Sequence, residues 1–528
     1  MCIRRFPVLL VIAWGGFAQA QSTFEKVYLS GANGKMNLIE FPSRNVLAGL
    51  AWGPGVSLLD PGGSIIHTEH YWSDSILVQR SIRRSSANVF YFVQGYQEDS
   101  CTTSGNLTIP HTCPAIGRTD SLGNVLQMLH YRLNTDKCWT SPDDLAMTSD
   151  KGVITWGGDG PGTQWSFYGM RVDSMGLPVW AKSFDRHGSF RFIKELPSGD
   201  LLAGFNMDTA GASVARMDAD GNFLWCKSYF RPGGKMHDAV IESDSAFIIT
   251  GLTLVAGQTD LFMLKLNGAG DVQWCRGYDS SPNPWYPGQQ SRVERTTENE
   301  YVILATLGQP GVVPFYRPFL MKTDENGDTL WTRSMGANDY TYYTKDLLVY
   351  SNGGYLISGG LLGHLPHGWS GAPYIFKTDS FGHFSCHERR HPIEVLDLFP
   401  VDSSFTLTSV DGATVHPAFV RDTVFDPIAV YDGCTFLPTG MPSIARPSRS
   451  MNVRPNPNAG RFTMEFTDPL AADSFYSVYD AVGKLLFQRP LAKGTESEEI
   501  DLSRFGAGTY VVRITSKDGV CNERVVVQ

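Results

Sequence analysis

One short pattern recurs along most of this chain and restricts its fold more than any other feature. The pattern D-x-x-G-x-x-x-W, with Asn once in place of Asp, recurs at intervals of 45 to 60 residues. Four copies keep the tryptophan and three weaker ones keep the glycine: DSMGLPVW, DADGNFLW, NGAGDVQW, DENGDTLW, then DPGGSIIH, DSLGNVLQ and DSFGHFSC. A period of this length is typical of a solenoid, a propeller or another array, because each unit is one supersecondary element.

Each repeat is interpreted as four antiparallel strands. The fourth copy divides into SFRFIKELP, DLLAGFNM, ASVARMDA and NFLWCKSYF, which are joined by turn residues. In the D-x-x-G turn, we expect the aspartate to accept hydrogen bonds from amides ahead of it and the glycine to take a positive φ. A three-residue hairpin would place the apolar residue three before the aspartate, such as Met170 or Leu264, opposite the tryptophan.

Seven such units predict an all-β fold, with the sheets packed radially as a β-propeller over residues 21–436. Composition agrees, because 54 Gly, 30 Pro and 12% aromatic residues favour short strands and tight turns over long helices. Seven blades are expected, with eight as the alternative. The segments FEKVYLS at Phe24 and IEVLDLFPVDSSFTLTS at Ile393 either build an eighth blade together or add strands that seal a ring of seven.

The N-terminus has the features of an export signal. An arginine pair at 4–5 precedes an apolar run that ends at Phe17, and Ala-Gln-Ala follows at 18–20, which predicts a signal peptide over residues 1–20. The apolar run is shorter than the about 20 residues that cross a bilayer, so no transmembrane anchor is expected. In an oxidising compartment, Cys101 with Cys113 and Cys386 with Cys434 are candidate disulfides.

A linker and a second domain follow the repeats. Residues 437–452 contain Pro438, Pro442 and Pro447 among small and polar residues, which is typical of a linker. From residue 453 the apolar residues alternate along strand-like segments, as in Phe462 and Met464. This alternation predicts a small immunoglobulin-like β-sandwich over 453–528.

Four ordered blocks in this second domain carry a family resemblance. They read RPNPNAGRF, YDAVGKLL, IDLSRFGAGTYVVRI and the final RVVVQ, and the motif positions are Pro455, Asn456, Pro457, Gly460, Phe462, Gly483, Gly508 and Tyr510. The series resembles the type A C-terminal sorting domain of the type IX secretion system of Bacteroidota. The resemblance implies passage through an outer-membrane pore by that machinery, usual removal of the domain, and a product that is secreted or attached to the cell surface.

The sequence offers no constellation that points to catalysis, a cofactor or a metal. It lacks a G-x-S-x-G nucleophile elbow, an H-E-x-x-H zinc helix and a P-loop. The turn glycines are the fourth residue of their motif, whereas an EF-hand calcium loop needs glycine at position six. A net charge of −9 without a basic cluster argues against nucleic acid.

Recognition is therefore expected in the loops. The connections between second and third strands, and between successive repeats, are long and rich in aromatic residues. Such residues suit stacking on sugars or contact with apolar protein surfaces. The candidate ligand-binding residues are Trp156, Trp165, Trp285, Tyr286, Tyr316 and Trp369.

Together these features favour an exported, non-catalytic binding or adhesion protein whose propeller recognises a glycan or a protein. The alternatives are a secreted polysaccharide hydrolase or lyase on the same scaffold, and a structural surface protein. An enzyme would need two carboxylates, or a carboxylate with His or Tyr, to converge across the central channel.

Overall fold

The structure is a computed structural model. It describes residues 23–29, 37–49, 55–72, 76–86, 88–102, 108–134, 137–160, 166–184, 186–208, 210–230, 233–255, 258–281, 283, 285, 291–308, 315–337, 340–351, 353–365, 368–384, 386–418, 421–424, 429–432, 434, 451–466, 469–470, 474–480, 485–516 and 519–528. The predicted signal peptide and nearly all of the predicted linker lie outside these residues. Contacts divide the chain into two compact units, Met1–Pro438 and Thr439–Gln528.

The protein is all-β, and its first unit contains seven small antiparallel sheets, called sheets 1 to 7 in chain order. Sheet 1 contains β2 (Asn37–Glu40), β3 (Val46–Gly49), β4 (Gly55–Leu59) and β5 (Ile65–Trp72). Sheet 2 contains β6 (Ile76–Ser86), β7 (Val89–Thr102), β8 (Thr108–Thr119) and β9 (Val125–Leu133). Sheet 3 contains β10 (Thr140–Met147), β11 (Val153–Asp159), β12 (Ser166–Val172) and β13 (Pro178–Phe184).

The remaining four sheets repeat this arrangement. Sheet 4 contains β14 (Gly188–Glu195), β15 (Leu201–Met207), β16 (Gly211–Met217) and β17 (Phe223–Phe230). Sheet 5 contains β18 (Lys235–Ser243), β19 (Ala246–Val255), β20 (Gln258–Asn267) and β21 (Val272–Asp279). Sheet 6 contains β22 (Arg292–Arg295), β23 (Tyr301–Gly308), β24 (Tyr316–Thr323) and β25 (Thr329–Ser334). Sheet 7 contains β26 (Thr341–Val349), β27 (Tyr355–Leu365), β28 (Gly368–Lys377) and, from the beginning of the chain, β1 (Phe24–Leu29).

Each sheet contacts the next one in chain order, and the last contacts the first. The first strand of a sheet carries most of these contacts, as in β6 with β10 and β18 with β22. Strand β26 of sheet 7 contacts β2 of sheet 1, which closes the series. The clusters of buried apolar side chains accordingly include residues from adjacent sheets.

The repeated turn has the predicted geometry in all seven copies. The first residue accepts hydrogen bonds from two amides ahead of it; Asp218 Oδ1, for example, accepts from Asp220 N at 3.0 Å and Asn222 N at 2.8 Å. Every motif glycine has a positive φ between 74° and 97°: Gly63, Gly123, Gly176, Gly221, Gly270, Gly327 and Gly382. Glycine tolerates this backbone conformation because it lacks a Cβ.

The predicted cross-strand partner of the tryptophan is wrong by one residue. Trp180 lies opposite Arg171, two residues before the motif aspartate, and Trp274 lies opposite Lys265. In both hairpins the register shifts next to the turn. An extra residue on one strand moves the pairing by one position, so a basic side chain takes the place predicted for an apolar one.

The motif residues also connect adjacent sheets. The Trp225 indole of sheet 4 lies against Gly270 of sheet 5, and four residues later Tyr229 donates a hydrogen bond to the Gly270 carbonyl at 2.7 Å. The same tyrosine-to-glycine bond recurs four more times along the ring of contacts: Tyr28 to Gly63, Tyr71 to Gly123, Tyr131 to Gly176 and Tyr278 to Gly327. The pattern therefore encodes a contact between sheets as well as a turn within one.

The last part of the first unit, residues 386–434, is called the belt segment. Its strands are β29 (Glu394–Asp397), β30 (Ser403–Ser404), β31 (Ser409–Asp411), β32 (Ala413–Pro417), β33 (Arg421–Val424) and β34 (Ala429–Asp432). In that order they pair with the fourth strands of sheets 5, 4, 3, 2, 1 and 7, and a bridge between Arg389 and Ser334 reaches sheet 6. The belt segment thus passes the outer strand of every sheet, in the reverse of chain order.

These pairings decide between the alternatives for the two unassigned segments. Strand β1 completes sheet 7, with Phe24 and Tyr28 at the positions that Trp225 and Tyr229 hold in sheet 4. The segment that begins at Ile393 supplies edge strands to sheets 5 and 4. In the described part of the chain, these segments therefore do not form an eighth sheet.

The predicted disulfides have different outcomes. Cys386 and Cys434 are bonded, which confirms that prediction and joins the two ends of the belt segment. Cys113 is a buried free thiol, so the predicted bond between Cys101 and Cys113 is wrong. Cys138, which has no predicted role, is disulfide-bonded instead.

The second unit contains two antiparallel sheets. The first has β35 (Met451–Arg454), β36 (Arg461–Phe466) and β39 (Ser497–Asp501), and the second has β37 (Ser474–Tyr479), β38 (Leu485–Leu491), β40 (Gly508–Ser516) and β41 (Gly519–Val527). Ser503–Phe505 forms a 3-10 turn. The predicted apolar faces are buried in one core that both sheets share, with Phe462 and Met464 meeting Val512 and Ile514.

Across the described residues, no helix is long and apolar enough to span a membrane.

Candidate functional site

The first strands of all seven sheets line one cavity of about 560 Å³. The lining begins near the middle of these strands and extends toward their C-terminal ends, where tight turns lead to the second strands. Its charged residues are Arg83, Arg84, Arg191, Lys194, Arg292 and Arg295, together with Asp144, Glu195, Asp238, Glu294 and Asp346. The cavity is therefore strongly polar and nearly balanced in charge.

Bulges recur in the first strands that line the cavity, and one of them places Arg191 in the lining. The register skips one residue in the first strands of sheets 3, 4, 5 and 7, and the skipped residues are Asp143, Arg191, His237 and Lys345. A bulged residue leaves the ladder and its side chain is redirected, which is why bulges are common next to functional sites. The same irregularity at equivalent places in four sheets indicates a shared inner architecture.

Acidic and basic residues alternate around this inner ring. Sheets 2, 4 and 6 contribute Arg83, Arg191 and Arg292, whereas sheets 3, 5 and 7 contribute Asp144, Asp238 and Asp346. Because the number of sheets is odd, acidic and basic sheets cannot alternate strictly around the whole series. Sheet 1 carries a neutral group at the junction, where the amide of Leu38 donates to Asp346 at 2.9 Å.

Asp144 is the centre of the strongest charge cluster. Its two carboxylate oxygens lie 3.1 Å from Arg83 Nη2 and 3.4 Å from Arg292 Nη2, and both Asp144 and Arg292 are 8% exposed. Burial alone would raise the pKa of Asp144, but Arg83, Lys345 and Arg292 hold it below its ordinary value. Asp144 is therefore ionised at neutral pH and neutralises part of a cationic group.

One other residue of the cavity lining, Glu294, and the neighbour of a lining residue, Lys345, have pKa values near neutrality. Glu294 reaches water within the cavity, but the protein around it displaces much of its solvation, and this desolvation raises the pKa of its carboxyl to about 7. The nearby Lys194 ammonium opposes this shift. Burial, opposed by Asp144, lowers the pKa of Lys345 to about 8. The cavity therefore becomes more negative as the pH rises from 6 to 9.

Two polar groups of the cavity have no hydrogen-bond partner among the described residues. They are the Arg191 Nε and the Trp156 indole Nε1. Trp156 is 3% exposed and Arg191 is partly buried. Arg191 also lines a second cavity of about 500 Å³ on the opposite side, between residues 187–189 and 233–235. These groups are available to a ligand, since unpaired buried donors are costly.

The three predicted aromatic residues whose side chains the structure describes do not come together in one place. Trp156 lines the cavity, whereas Trp285 is 1% exposed and donates its indole N–H to the carbonyl of Tyr278 at 2.8 Å. Tyr316 is partly buried near Tyr343, with the ring centres 5.9 Å apart. Trp165, Tyr286 and the side chain of Trp369 lie outside the described part of the structure, so their predicted role stays a prediction.

Sequence reasoning missed the charged residues of the cavity. A signal was present, because an aspartate followed by two apolar residues stands at the same place in three first strands, as Asp144-Leu145-Ala146, Asp238-Ala239-Val240 and Asp346-Leu347-Leu348. The convergence of these strands on one cavity is a tertiary property.

In the second unit, the motif residues connect the beginning of the domain to its last strand. The Asn456 amide donates to the Arg524 carbonyl at 2.6 Å and accepts from Val526 N at 2.8 Å. Tyr510 donates to the carbonyls of Phe505 and Gly506 at 2.8 and 2.9 Å. Gly460 has φ 95°, and a Cβ there would lie 2.8 Å from the backbone of Ser503. Pro455, Pro457 and Phe462 flank or follow Asn456, Gly508 begins β40, and Gly483 lies outside the described residues.

Comparisons with solved structures find distant likenesses. A protein of unknown function from Bacteroides caccae is 9% identical, with 68% of this chain and 91% of that chain covered and a TM-score of 0.29. A protein reported with the GH130 family of mannoside phosphorylases, which contains glycoside hydrolases that target β-1,2 mannosidic linkages in Candida mannan, is 10% identical, with coverages of 58% and 86% and a TM-score of 0.25. A glycosyl hydrolase from Bacteroides ovatus is 10% identical, with coverages of 62% and 88% and a TM-score of 0.24. Likenesses this weak carry no argument about activity.

No curated protein matches the chain. Residues 452–528 match the family model of the secretion system C-terminal sorting domain, which confirms the resemblance in the last four sequence blocks. The second unit is thus a type IX secretion sorting domain, and the chain that carries it is exported to the cell surface or the extracellular space.

Proposed function

We propose that the seven sheets are the blades of a β-propeller and that the sorting domain is an immunoglobulin-like sandwich. The closed order of contacts from sheet 1 to sheet 7 supports the propeller, as does the cavity lined by all seven first strands. Two sheets around one shared core support the sandwich. The predicted boundaries at residues 20, 436 and 452 belong to the same proposal.

The proposed function is binding of an extracellular ligand in the cavity of the propeller. The observation that carries it is the pair of unpartnered donors in the cavity, the Arg191 guanidinium Nε and the Trp156 indole, in the same lining as the Glu294 carboxyl. Below pH 7 all three can donate hydrogen bonds, because the raised pKa keeps Glu294 largely protonated. A ligand with several acceptor oxygens suits such a site, and an acidic oligosaccharide combines hydroxyls with a carboxylate that a guanidinium binds well.

The test measures binding of acidic and neutral oligosaccharides to the full chain by calorimetry. We expect the acidic sugars to bind, and Arg191→Met to weaken binding by about tenfold or more, the loss of one charge-assisted hydrogen bond. Arg295→Met is the matched control, because it removes the same charge from the cavity lining. Unlike the Arg191 Nε, the Arg295 guanidinium already has a partner, the Glu242 carboxylate at 4.0 Å. Equal losses in both variants would indicate nonspecific attraction and contradict the proposal.

A pH series tests whether the Glu294 carboxyl faces the bound ligand. Affinity for an acidic sugar should fall as the pH rises through about 7, because Glu294 then ionises and repels the ligand carboxylate. Glu294→Gln should remove this step and keep the affinity of the acid form. A pH profile that is the same in the wild type and in Glu294→Gln would show that Glu294 does not face the ligand.

The second candidate is cleavage of a polysaccharide, and the contrast between two carboxyls favours it. Asp144 is ionised while Glu294 has a pKa of about 7, and such a pair can divide the roles of anion and proton donor. Glu294→Gln should then abolish the release of reducing ends or unsaturated products from a panel of polysaccharides. If the wild type binds without releasing product, the protein is the non-catalytic binder proposed first.

The aromatic residues of the long loops remain part of the proposal as a second contact region. Tyr316 and Trp369 stand at the beginning of β24 and β28, at the other end of the sheets from the cavity lining, and Trp165 and Tyr286 belong by sequence to the long connections. Substitution of Tyr316 by alanine should leave binding in the cavity unchanged. A loss as large as that of Arg191→Met would move the site to the loop side.

A further inference from the structure

Sheet 2 brings a glutamate, a histidine and a cysteine together away from the cavity. Glu98 lies on β7, and His111 and Cys113 lie two residues apart on the neighbouring β8, so their side chains share a face. Glu98 Oε2 is 3.0 Å from His111 Nδ1 and 3.5 Å from Cys113 Sγ, and the sulfur is 3.4 Å from Nδ1. None of the three residues lines the cavity.

These three separations fit the edges of a tetrahedron around a metal ion. Zinc binds nitrogen and oxygen at about 2.0–2.2 Å and thiolate sulfur at about 2.3 Å, which places neighbouring ligand atoms roughly 3.3 to 3.6 Å apart in tetrahedral geometry. The observed triangle of 3.0, 3.4 and 3.5 Å needs only small movements to accept an ion at that distance from each atom. A thiolate, an imidazole and a carboxylate are all ligands that zinc accepts.

A fourth residue holds the glutamate in place. His130 on β9 bonds the second carboxylate oxygen, Glu98 Oε1, through its Nε2. The His130 ring is 6% exposed and lies between Tyr96, whose centre is 4.6 Å away, and His416 of the belt segment, 5.3 Å away. Its Nδ1 is buried without a hydrogen-bond partner in the described structure. A group that orients a ligand in this way is typical of the outer shell of a metal site.

The other cysteines show how specific this arrangement is. Cys226 and Cys275 are buried free thiols too, but neither belongs to a group of possible ligands among the described residues. The second group of this kind, Glu25 with Cys386 and His387, contains a cysteine that is committed to a disulfide. Only the group in sheet 2 combines a free thiol with two further ligand atoms in the described part of the chain.

We propose that Glu98, His111 and Cys113 bind one Zn²⁺, with His130 as a positioning residue on Glu98. Binding releases the thiol proton of Cys113 to solvent and forms the Zn–S bond. The proton between His111 Nδ1 and Glu98 Oε2 moves by way of solvent to His111 Nε2, so that Nδ1 and the carboxylate oxygen both coordinate the ion. The fourth tetrahedral position faces away from these three residues and is completed by water. The soft thiolate excludes Ca²⁺ and Mg²⁺, which prefer oxygen ligands alone.

The test uses the purified full chain after treatment with a chelator and dialysis. With Zn²⁺ added and excess removed, elemental analysis should find about one zinc per chain, the stoichiometry of a single site. Added Co²⁺ should give a thiolate-to-metal charge-transfer band in the near ultraviolet together with visible bands of tetrahedral cobalt. Added Ca²⁺ should not compete. Absence of the charge-transfer band, or less than about a tenth of an equivalent of zinc, would overturn the proposal.

The variants assign the site to its residues. Cys113→Ser should remove the charge-transfer band, and His130→Phe should lower zinc affinity by about 10–100-fold while the band stays, as expected of an outer-shell residue. Cys226→Ser is the matched control and should behave like the wild type. If Cys113→Ser and Cys226→Ser bind cobalt with the same spectrum, the thiolate is not a ligand and the proposal fails. If Cys113→Ser does not fold, Glu98→Gln tests the site instead. A zinc affinity of Glu98→Gln equal to that of the wild type would overturn the proposal.

Discussion

The outer ends of the seven sheets, formed by the fourth strands, repeat one set of contacts, whereas the inner ends, formed by the first strands, differ from sheet to sheet. At the outer end the same contacts recur from sheet to sheet, as in the bonds from Tyr229 to Gly270 and from Tyr278 to Gly327. At the inner end the first strands of sheets 2 to 7 carry charged residues whose sign changes from sheet to sheet, among them Arg83, Asp144 and Arg292, whereas sheet 1 contributes Leu38. Repetition therefore marks the positions that pack the sheets together, and variation marks the positions that face the cavity.

This difference has a physical basis. A contact between neighbouring sheets presents the same geometry in every repeat, so one solution serves all of them. The seven inner strands instead meet at one place, where seven identical charges would repel each other at close range. Alternating acidic and basic residues avoid that repulsion and leave the cavity polar.

The largest expected effect comes from the inner end. Asp144→Asn removes the carboxylate that pairs with Arg83 and with the buried Arg292, so it should lower the free energy of unfolding by about 3–5 kcal/mol. Urea denaturation measures this loss. Asp411→Asn, which breaks an ion pair between Lys182 and an aspartate that is 63% exposed, should cost less than about 1 kcal/mol.

The same substitution has a pH signature. Because the pKa of Asp144 is lowered in the folded protein, its stabilising effect is present above the unfolded pKa and is lost as the pH falls through the folded value. The wild type should thus lose more stability between pH 5 and acid than Asp144→Asn does. Equal losses in the two proteins would contradict the proposed dominance of the inner cluster.

A smaller effect is expected from opening the belt segment at the outer end. The disulfide joins residues 48 positions apart, so it restrains a loop of that length in the unfolded chain. The double variant Cys386→Ser/Cys434→Ser removes this restraint and thereby favours the unfolded state. The expected loss is about 3 kcal/mol in the free energy of unfolding. Cys226→Ser controls for the loss of a cysteine. A double variant as stable as this control would show that strand pairing alone holds the belt segment.

The smallest effect isolates one repeated contact. Gly221 and Gly199 both have positive φ, 77° and 89°, but a Cβ on Gly221 would lie 2.8 Å from the Trp180 ring, whereas nothing lies within 4 Å of one on Gly199. Gly199→Ala should cost about 1 kcal/mol from backbone strain, and Gly221→Ala about 2 kcal/mol or more. Thermal unfolding of the two variants gives the difference. Equal losses would mean that the contact between sheets 3 and 4 adapts freely.

Local features of the fold could be predicted from the sequence, and long-range ones could not. The motif glycines and aspartates predicted the turn, because hairpin closure depends on a few adjacent residues. The partner of Trp180 was missed by one residue, since a bulge beside the turn is invisible in the pattern. Cys113 was assigned to a disulfide on spacing, whereas its neighbours in space are Glu98 and His111.

The candidate site shows the same division. Among the predicted aromatic residues whose side chains the structure describes, Trp156 alone lines the cavity, and it was chosen as part of a loop region. Arg191 and Glu294 gave no signal as single residues, because a charge in a strand is ordinarily exposed. Their importance follows from the meeting of seven strands that are separated by most of the chain.

By itself, the sequence determined that this protein is all-β, that its repeats close through one kind of turn, and that its last domain directs export. Each of these depends on residues close together in the chain or on a family pattern. Only the tertiary structure decided that the belt segment pairs with the sheets in reverse order, which thiols are free, and which charges face the cavity. These properties arise from contacts between residues far apart in the chain, where packing and charge balance select the partners.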